Sequence, residues 1–555
     1  MNEFNSRKNN MRWLKKVNSI YWIIPIFIVA LTYLIDCRYY SSPPIHSDDW
    51  SILSDQIFYG FQIFNIYDRR PLIDVPYFIL ASSFKTNLFY HYFVNFIILF
   101  LTCCVFYLVI KKSFPKHTWL ALPIALVFII YPLDFTKTWL VHIHAHLVLL
   151  LDLLVIFLLL EYKQNSKSWK LILANVLFII SLLIYEAGLG IVLMVAFLIL
   201  FDSGTSRVYK IRIITVTLFT GIFYIVWRAY LQPSIFNLQD AYLDQLNINV
   251  ITIARRYIIG LIYVPYSWVR PIAQFLGPSK FIVLGATGFM LIALTIGLLP
   301  RIIKSAKASE SFYWADRVIV LKSLIMVFLF GFLTWAAGYF PAIVLKGPSL
   351  DGNSTRNNLF ASAGASIMLV SLISSLVALK VKTYKEISRK TILLIIPFVI
   401  LGMLFQIWSQ NQRFISWEDQ KKIWNKTIEI APDLQDGSNV GIIIPGYKDL
   451  EYFQILPFTW RWDARNAIRL LYNNQTLEAF YYYLDRDVGF LNQIPDEIEW
   501  SKTLLIYVDP HNNSSHILSQ PEKILLLDDT TTGYNPELLI SNFDTDSGIY
   551  RFLVR

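Results

Sequence analysis

The sequence predicts a polytopic α-helical membrane protein with about eleven transmembrane helices, followed by a soluble C-terminal α/β domain. Of its 555 residues, 55% are hydrophobic and only 16% are charged. One water-soluble core cannot bury so much apolar surface, and the apolar residues form long blocks separated by short polar segments. After residue 408 these blocks give way to short strand-like runs and polar helix-like stretches, which is typical of an α/β domain.

A transmembrane helix needs about 20 apolar residues to cross the hydrocarbon core of a bilayer. Applied along the chain, this length predicts spans at residues 17–36, 87–110, 118–133, 140–160, 169–185, 187–202, 211–231, 281–300, 318–340, 359–379 and 391–408. Lys and Arg gather in alternate connecting segments, as the positive-inside rule requires of cytoplasmic loops. The N-terminus is therefore predicted to be cytoplasmic. The first connecting segment (residues 37–86) and the tail 409–555 are predicted to be external.

The stretch 250–268 is also apolar, but counting it as a span would place the basic cluster at 301–307 outside. It is interpreted as an interfacial or re-entrant element. The net charge of +10 comes from the clusters between apolar blocks. Membrane lipids, and not nucleic acid, are therefore the expected partners of the basic residues.

In the tail, the apolar runs 439–445, 503–510 and 523–529 are predicted strands, and 461–471 and 476–484 are predicted helices. The tail carries no G-x-S-x-G, P-loop or metal-ligand motif. Its expected role is contact with an acceptor, carbohydrate binding or support of the first connecting segment.

Two adjacent carboxylates, Asp48 and Asp49, follow a Pro-Pro turn in the first connecting segment. One interpretation is that they are solvated loop residues that cap the next helix. The other is that one of them is a general base at the membrane surface. The second carboxylate would then hold a divalent metal, Mg or Mn, or favour proton uptake by its neighbour through like-charge repulsion. The pair alone leaves both interpretations open.

Further polar residues follow the acidic pair in a distinct order: Arg70-Pro71-Leu72, His91 with Asn95, Glu186 in "SLLIYEAGLGIVL" and Arg356 in "GNSTRNNLFASAGASIMLV". This order resembles that of the membrane glycosyltransferases of the GT-C superfamily, in particular its protein O-mannosyltransferase and TMTC-like branches. The resemblance extends over about residues 15–380 and lies in the order of features, with low identity at each. It departs from the family pattern after Arg356, where Asn357 and Asn358 stand in place of aromatic residues.

The resemblance implies transfer of a sugar from a polyprenyl-phosphate-linked donor to a hydroxyl of a glycan, lipid or protein acceptor, by direct inverting displacement. Asp48 or Asp49 would take the proton of the acceptor. The leaving phosphate gains negative charge, which the planar fork of an arginine stabilises well. Arg356 is the first candidate for this role and Arg70 the second, and the other external candidates are Arg69, Arg255 and Arg256.

Other residues expected to line the site are His46, His91, Asn95, His142, His146 and Glu186. His142 and His146 are one helical turn apart, a spacing that suits a metal ion or, more commonly, hydrogen bonding at an interface, with His144 directed elsewhere. Glu186 lies between two predicted spans and is interpreted either as a functional carboxylate or as part of a hairpin turn in water.

Two other functions stay open at this point. A transporter or flippase of a lipid-linked sugar would have the same number of spans, but its charged residues should lie at mid-membrane, whereas here they gather at the span ends. A membrane glycan ligase or polymerase would carry its main catalytic loop late in the chain. The abundance of Ile, Asn, Lys, Phe and Tyr indicates a low-GC bacterial genome and hence a plasma membrane, with the endoplasmic reticulum as the alternative.

Overall fold

A computed structural model describes residues 22–38, 44–45, 48–60, 70–85, 87–134, 136–201, 206–236, 249–274, 314–345, 347–348, 353–381, 383–445, 458, 461–484, 499–518 and 540–541. Most of these residues are helical. The α-helices are α1 (Ile23–Ala30), α2 (Asp49–Ser54), α3 (Val75–Phe84), α4 (Leu88–Ser113), α5 (Ala121–Ile129), α6 (Ile143–Asn165), α7 (Ser168–Ile184), α8 (Leu189–Phe201), α9 (Arg207–Val226), α10 (Gln232–Phe236), α11 (Val250–Gln274), α12 (Trp314–Leu345), α13 (Leu359–Lys380), α14 (Tyr384–Ile430) and α15 (Arg461–Leu471).

Helical segments long and apolar enough to cross a membrane are Leu88–Ser113, Leu140–Asn165, Arg207–Ile235, Arg317–Val344, Thr355–Lys380 and Tyr384–Ile430. These segments make the chain an integral membrane protein. Four further predicted spans fall on shorter apolar helices, at Ile23–Leu34, Pro115–Ile129, Ser168–Ile184 and Glu186–Ala196. The predicted span 281–300 lies outside the described residues, so the total of eleven spans stays a prediction.

The two ends of the helical bundle differ in chemistry. At one end, Lys112 and Lys170 both form ion pairs with Glu161, and Nδ1 of His117 lies 2.9 Å from the hydroxyl of Tyr384. Residues predicted for the site lie at the opposite ends of these helices: His91 and Asn95 near the start of α4, His146 near the start of α6, and Glu186 just after the end of α7. This separation agrees with the alternation of basic connecting segments along the sequence.

Helix α11 contains the stretch 250–268 and is not among the helices that are apolar enough to span. On one side, Nη1 of Arg256 donates to the backbone oxygen of Ile343 near the end of α12, at 2.5 Å. On its other side, Ile251 and Ile258 are exposed. A helix with this distribution suits the membrane interface, and the interfacial interpretation stays a prediction.

Helices α12 and α13 pack closely because small residues stand where they meet. A Cβ atom added at Gly364 would lie 2.0 Å from the backbone nitrogen of Trp335. A Cβ atom added at Gly338 would lie 2.7 Å from the backbone carbonyl of Phe360. Small residues of this kind allow helix backbones to approach each other within a membrane.

Substitution of Gly364 by Ala is expected to force α12 and α13 apart, because the new methyl group would meet backbone atoms that cannot rotate away. Overpacking of this kind costs about 1–3 kcal/mol, which is measurable as a lower thermal unfolding temperature in detergent. Gly221→Ala is the matched control, since its added Cβ would contact only ends of leucine side chains, at 3.1 Å or more. Equal melting temperatures for the two variants would contradict this account of the packing.

The C-terminal domain contains a four-stranded sheet in the order β3-β2-β4-β5, formed by β2 (Asn439–Ile444), β3 (Glu478–Tyr483), β4 (Thr503–Asp509) and β5 (Ser514–Ile517). The first three strands are parallel, and β5 is antiparallel at the edge. A separate pair joins β1 (Asp433–Leu434) to β6 (Ile540–Ser541).

The structure confirms two predicted strands of the tail, which are β2 and β4, and the predicted helix 461–471, which is α15. The predicted helix 476–484 is wrong, because this stretch forms strand β3. Its sequence "EAFYYY" is rich in aromatic side chains, which favour strands, and most of them are buried beside β2. The predicted strand 523–529 lies outside the described residues.

Helix α14 joins the membrane region to this domain without a break, so the boundary predicted at residue 408 falls within one helix. Buried glutamines on α14 hold other segments against it. Nε2 of Gln410 donates to the backbone oxygen of Thr32 at 2.9 Å, just beyond α1. The C-terminal domain therefore sits on a helix that is itself fixed to the start of the bundle.

Candidate functional site

A pocket opens at the end of the bundle opposite the Lys112–Glu161 ion pair, which we call the pocket end. It contains about 640 Å³ of empty space, including the space at its open mouth. Residues far apart in the sequence line it, among them Arg70, Tyr185, Glu186, Pro341, Arg356 and Phe360. The structure thus brings together three residues that were predicted for the site, namely Arg70, Glu186 and Arg356.

Arg70 and Glu186 form a two-pronged ion pair on one side of the pocket. Nε of Arg70 donates to Oε2 of Glu186 at 3.0 Å, and Nη2 donates to Oε1 at 2.9 Å. The guanidinium also lies over the ring of Tyr185, 4.4 Å from its centroid. The charge of Arg70 and its two hydrogen bonds favour the ionised form of the Glu186 carboxyl, so the two side chains form an ion pair.

Local chain geometry holds this ion pair in place. Helix α7 ends at Ile184, Tyr185 is extended, and a single 3₁₀ turn (Glu186–Gly188) leads into α8. The backbone N–H of Leu72 donates to the oxygen of Leu183 at 3.1 Å. This bond fixes the Arg70-Pro71-Leu72 stretch against the end of α7. Tyr185 and Glu186, which contact the guanidinium of Arg70, follow directly after that end.

Arg356 also lines the pocket and lies in a 3₁₀ turn (Asn353–Asn358) that precedes α13. Asn358 anchors this turn, since its Nδ2 donates to the oxygen of Leu133 at 3.0 Å and its Oδ1 accepts from Tyr339 at 2.6 Å. Nδ2 of Asn357 donates to the oxygen of Gly347 at 3.1 Å. The asparagines that depart from the family pattern therefore hold the turn that presents Arg356.

The charges that line the pocket do not cancel. Arg70 is compensated by Glu186, whereas Arg356 is half-buried and makes no hydrogen bond or ion pair within the described part of the chain. A half-buried guanidinium beside an existing ion pair leaves the pocket with one positive charge in excess. The pocket is therefore suited to an anion that accepts hydrogen bonds from a planar fork, such as a phosphate group.

The acidic pair lies at the start of α2, with Asp48 partly exposed and Asp49 buried. Oδ1 of Asp49 accepts the backbone N–H of Val141 at 2.9 Å. The oxygen of the same residue, Val141, accepts the hydroxyl of Tyr77 at 2.6 Å. Asp49 is thereby fixed against the segment that leads into α6, whereas Asp48 is partly exposed.

Tyr77 and His144 join the acidic side of the site to the pocket. The hydroxyl of Tyr77 is 2.6 Å from Nδ1 of His144. When the hydroxyl donates to Val141, Nδ1 of His144 carries a proton and donates it to Tyr77. The ring of His144 packs edge-on against Tyr185, with centroids 5.3 Å apart.

Burial, and next the charges of Asp49, Asp74 and Asp48, raise the pKa of Tyr77 well above its usual value, whereas Arg356 opposes this effect. The pKa of Tyr77 therefore responds both to these carboxylates and to the pocket arginine. Neither Tyr77 nor its partner His144 was predicted for the site. The sequence carried no signal for Tyr77, and the spacing of "HIHAH" favoured the other two histidines.

The remaining described candidates form a buried polar layer at the pocket end, and none of them is among the residues that line the pocket. Nδ2 of Asn95 donates to the oxygen of Lys137 at 2.8 Å, and its Oδ1 is 2.7 Å from Nδ1 of His146. His91 is 3.0 Å from the oxygen of Lys85, and His142 stacks on Trp139. His46 and Arg69 lie outside the described residues.

Within the described ranges, no three His, Cys, Asp or Glu side chains are arranged to hold a metal ion. The residues predicted to hold Mg or Mn, Asp48 and Asp49, supply two adjacent carboxylates, of which Asp49 already accepts from Val141. Metal binding by this pair stays a prediction.

The fold and the pocket define the chain as an integral membrane protein with a pocket of net positive charge and an acidic pair at the same end. Compared with known protein families and with curated proteins, the sequence matches none of them. The chemistry of the site therefore carries the functional argument.

Proposed function

We propose that the protein is a membrane glycosyltransferase. It transfers a sugar from a polyprenyl-phosphate-linked donor to a hydroxyl group of a glycan, lipid or protein acceptor at the external membrane face. The observation that carries the proposal is the meeting of Arg70, Glu186 and Arg356 in one pocket, although 116 residues separate the first two in the sequence. The GT-C resemblance implies a phosphate-binding role for Arg356 and Arg70 and places Glu186 among the residues that line the site.

The pocket matches the two chemical parts of such a donor. Arg356, with Arg70 held beside it, faces the phosphate, which becomes more negative as the sugar leaves. Pro341 and Phe360 provide apolar wall next to these charges. Phe340, the neighbour of Pro341 on α12, is 54% exposed on the outer surface of the bundle. The polyprenyl chain can therefore stay in the lipid along α12 while its phosphate enters the pocket.

In the proposed reaction, Asp48 acts as the general base. The acceptor oxygen attacks the anomeric carbon and its proton passes to Asp48, while the bond from that carbon to the phosphate oxygen breaks and leaves both electrons on the phosphate. The products are the glycosylated acceptor and polyprenyl phosphate. The hydrogen bonds of Asp49 and Tyr77 to Val141 fix the position of the acidic pair relative to the pocket. These three residues therefore act as positioning residues.

A test of the proposal uses purified protein in liposomes that contain radiolabelled polyprenyl-phosphate hexoses or pentoses, with candidate lipid, glycan and peptide acceptors. Label is expected to move from the donor to one acceptor class. The double variant Arg70→Ala/Arg356→Ala is expected to bind the donor weakly and to transfer no label. Tight donor binding by the wild type without transfer to any acceptor would overturn the transferase proposal.

One observation favours a transporter as the second candidate. Asp152 is buried inside the apolar helix α6, and its Oδ1 accepts a hydrogen bond from Ser181 at 2.5 Å. Its Oδ2 has no hydrogen-bond partner within the described residues. A buried carboxylate within a membrane helix often marks a transport path. Movement of intact labelled donor across sealed liposomes, without hydrolysis or transfer, would support this alternative.

The proposed orientation places the pocket end outside, in a bacterial plasma membrane, with a cytoplasmic N-terminus. Reporter fusions after Lys163 and after Asp55 test it directly. The first is expected to report the cytoplasm and the second the exterior. The reverse result would place the pocket end in the cytoplasm, away from the side on which we place the lipid-linked donor and the reaction.

A further inference from the structure

We infer that the C-terminal domain positions the acidic pair, and that Trp50, Asn466 and Gln420 are the positioning residues through which it acts. The inference rests on the proposed function, because it assigns to the domain a part in the transfer reaction. It selects one of the three roles predicted for the tail, support of the first connecting segment.

Helix α2, which begins directly after Asp48, packs against α15 of the C-terminal domain. Nδ2 of Asn466 on α15 donates to Oγ of Ser51 on α2, at 2.7 Å. This contact joins residues that are 415 positions apart in the sequence. Ser51, which accepts this hydrogen bond from the soluble domain, is two residues after Asp49, whose carboxylate fixes α2 to Val141.

Trp50 provides the second contact. Its side chain is fully buried, and its indole N–H donates to Oε1 of Gln420 at 3.0 Å. Its ring lies 6.0 Å from the ring of Trp417, measured between centroids. Both partners belong to the part of α14 that leads into the C-terminal domain.

Gln420 also holds the chain on the other side of the acidic pair. Its Nε2 donates to the backbone oxygen of Ile45 at 3.3 Å, while its Oε1 accepts from Trp50. One amide side chain therefore fixes the chain before Asp48 and after Asp49. Ile45 and Trp50 are also buried in the same hydrophobic core as strand β2 of the domain.

These contacts matter for catalysis because a general base acts only when it is held within a fraction of an ångström of its working position. Close to the acidic pair, the first connecting segment contacts the membrane region through Asp49 and through Tyr92, whose hydroxyl donates to the oxygen of Pro44 at 2.6 Å. The C-terminal domain, with the part of α14 that leads into it, adds the contacts of Ser51, Trp50 and Ile45. Loosening them should misplace Asp48 without altering the pocket that binds the donor.

The test is a double-mutant cycle on Ser51 and Asn466. Asn466→Ala and Ser51→Ala are each expected to lower kcat by about 3- to 10-fold, the range for loss of one hydrogen bond, with the KM for the donor unchanged. The double variant should be no worse than either single variant, because both remove the same contact. Lys502→Ala is the control and should leave kcat unchanged, because Lys502 is exposed and pairs with Glu499, three residues earlier in the domain.

A measurement that needs no activity keeps the inference separate from the proposed function. The double variant Ser51→Cys/Asn466→Cys is expected to form a disulfide between these positions under mild oxidation, identified by peptide mapping. If the wild type transfers no sugar, the proposed function fails, and the cross-link still tests the contact. If the wild type transfers sugar but Asn466→Ala keeps full kcat, or changes only KM, the positioning role is overturned. Absence of the disulfide would overturn the contact itself.

Discussion

Asp48→Asn is expected to abolish nearly all transfer, with kcat lowered by about 100-fold or more, the usual contribution of a general base. Asparagine keeps the size of the side chain and its place at the start of α2, but it cannot accept the proton of the acceptor. Donor binding should persist, because the pocket arginines are untouched. Single-turnover transfer of label from a bound polyprenyl-phosphate sugar, measured beside donor binding, separates these two effects.

Asp74→Asn is the matched control for Asp48→Asn. Asp74 precedes α3 in the same connecting segment and also lies close enough to Tyr77 to influence it, yet we assign it no part in the reaction. Its substitution should change kcat by much less. Asp49→Asn is expected to lower both activity and stability, because Asp49 holds Val141. Full activity of Asp48→Asn would remove Asp48 from the role of base, and full activity of both variants would remove the acidic pair from the reaction.

The helical part of the fold could be predicted because a bilayer imposes one length and one composition on every span. The apolar blocks at 87–110 and 140–160 accordingly match α4 and the segment around α6 within a few residues. The stretch 476–484 was assigned wrongly because its aromatic residues suit a strand or a buried helix, and only pairing with β2 decides between them.

The site was predictable to a different degree. The order of polar residues along the chain predicted that Arg70, Glu186 and Arg356 belong to one site, and they line one pocket. The direct pairing of Arg70 with Glu186 was not predicted, because one sequence contains no distances between remote positions. The same limit applies to Tyr77 and His144, which contribute only through contacts made by the tertiary fold.

Arg356→Ala is expected to lower kcat/KM for the donor by about 10- to 100-fold, because loss of a charged hydrogen-bond donor to phosphate costs about 1.5–3 kcal/mol. Arg356→Lys should lie between this variant and the wild type, since a lysine keeps the charge but not the planar fork. Initial rates at donor concentrations well below KM measure the effect. Arg255, also a candidate from the sequence, is exposed on α11 and is not among the residues that line the pocket. Arg255→Ala therefore removes an equal charge outside the pocket and is the matched control.

The Arg70–Glu186 ion pair allows a second test of how charge in the pocket affects donor binding. Arg70→Ala leaves the carboxylate of Glu186 without its partner in the pocket, where it would repel the donor phosphate. Arg70→Ala/Glu186→Gln removes that negative charge as well and should therefore recover part of the lost donor affinity. If the double variant binds the donor no better than Arg70→Ala, Glu186 does not face the phosphate. If Arg356→Ala and Arg255→Ala behave alike, the excess positive charge of the pocket has no part in donor binding.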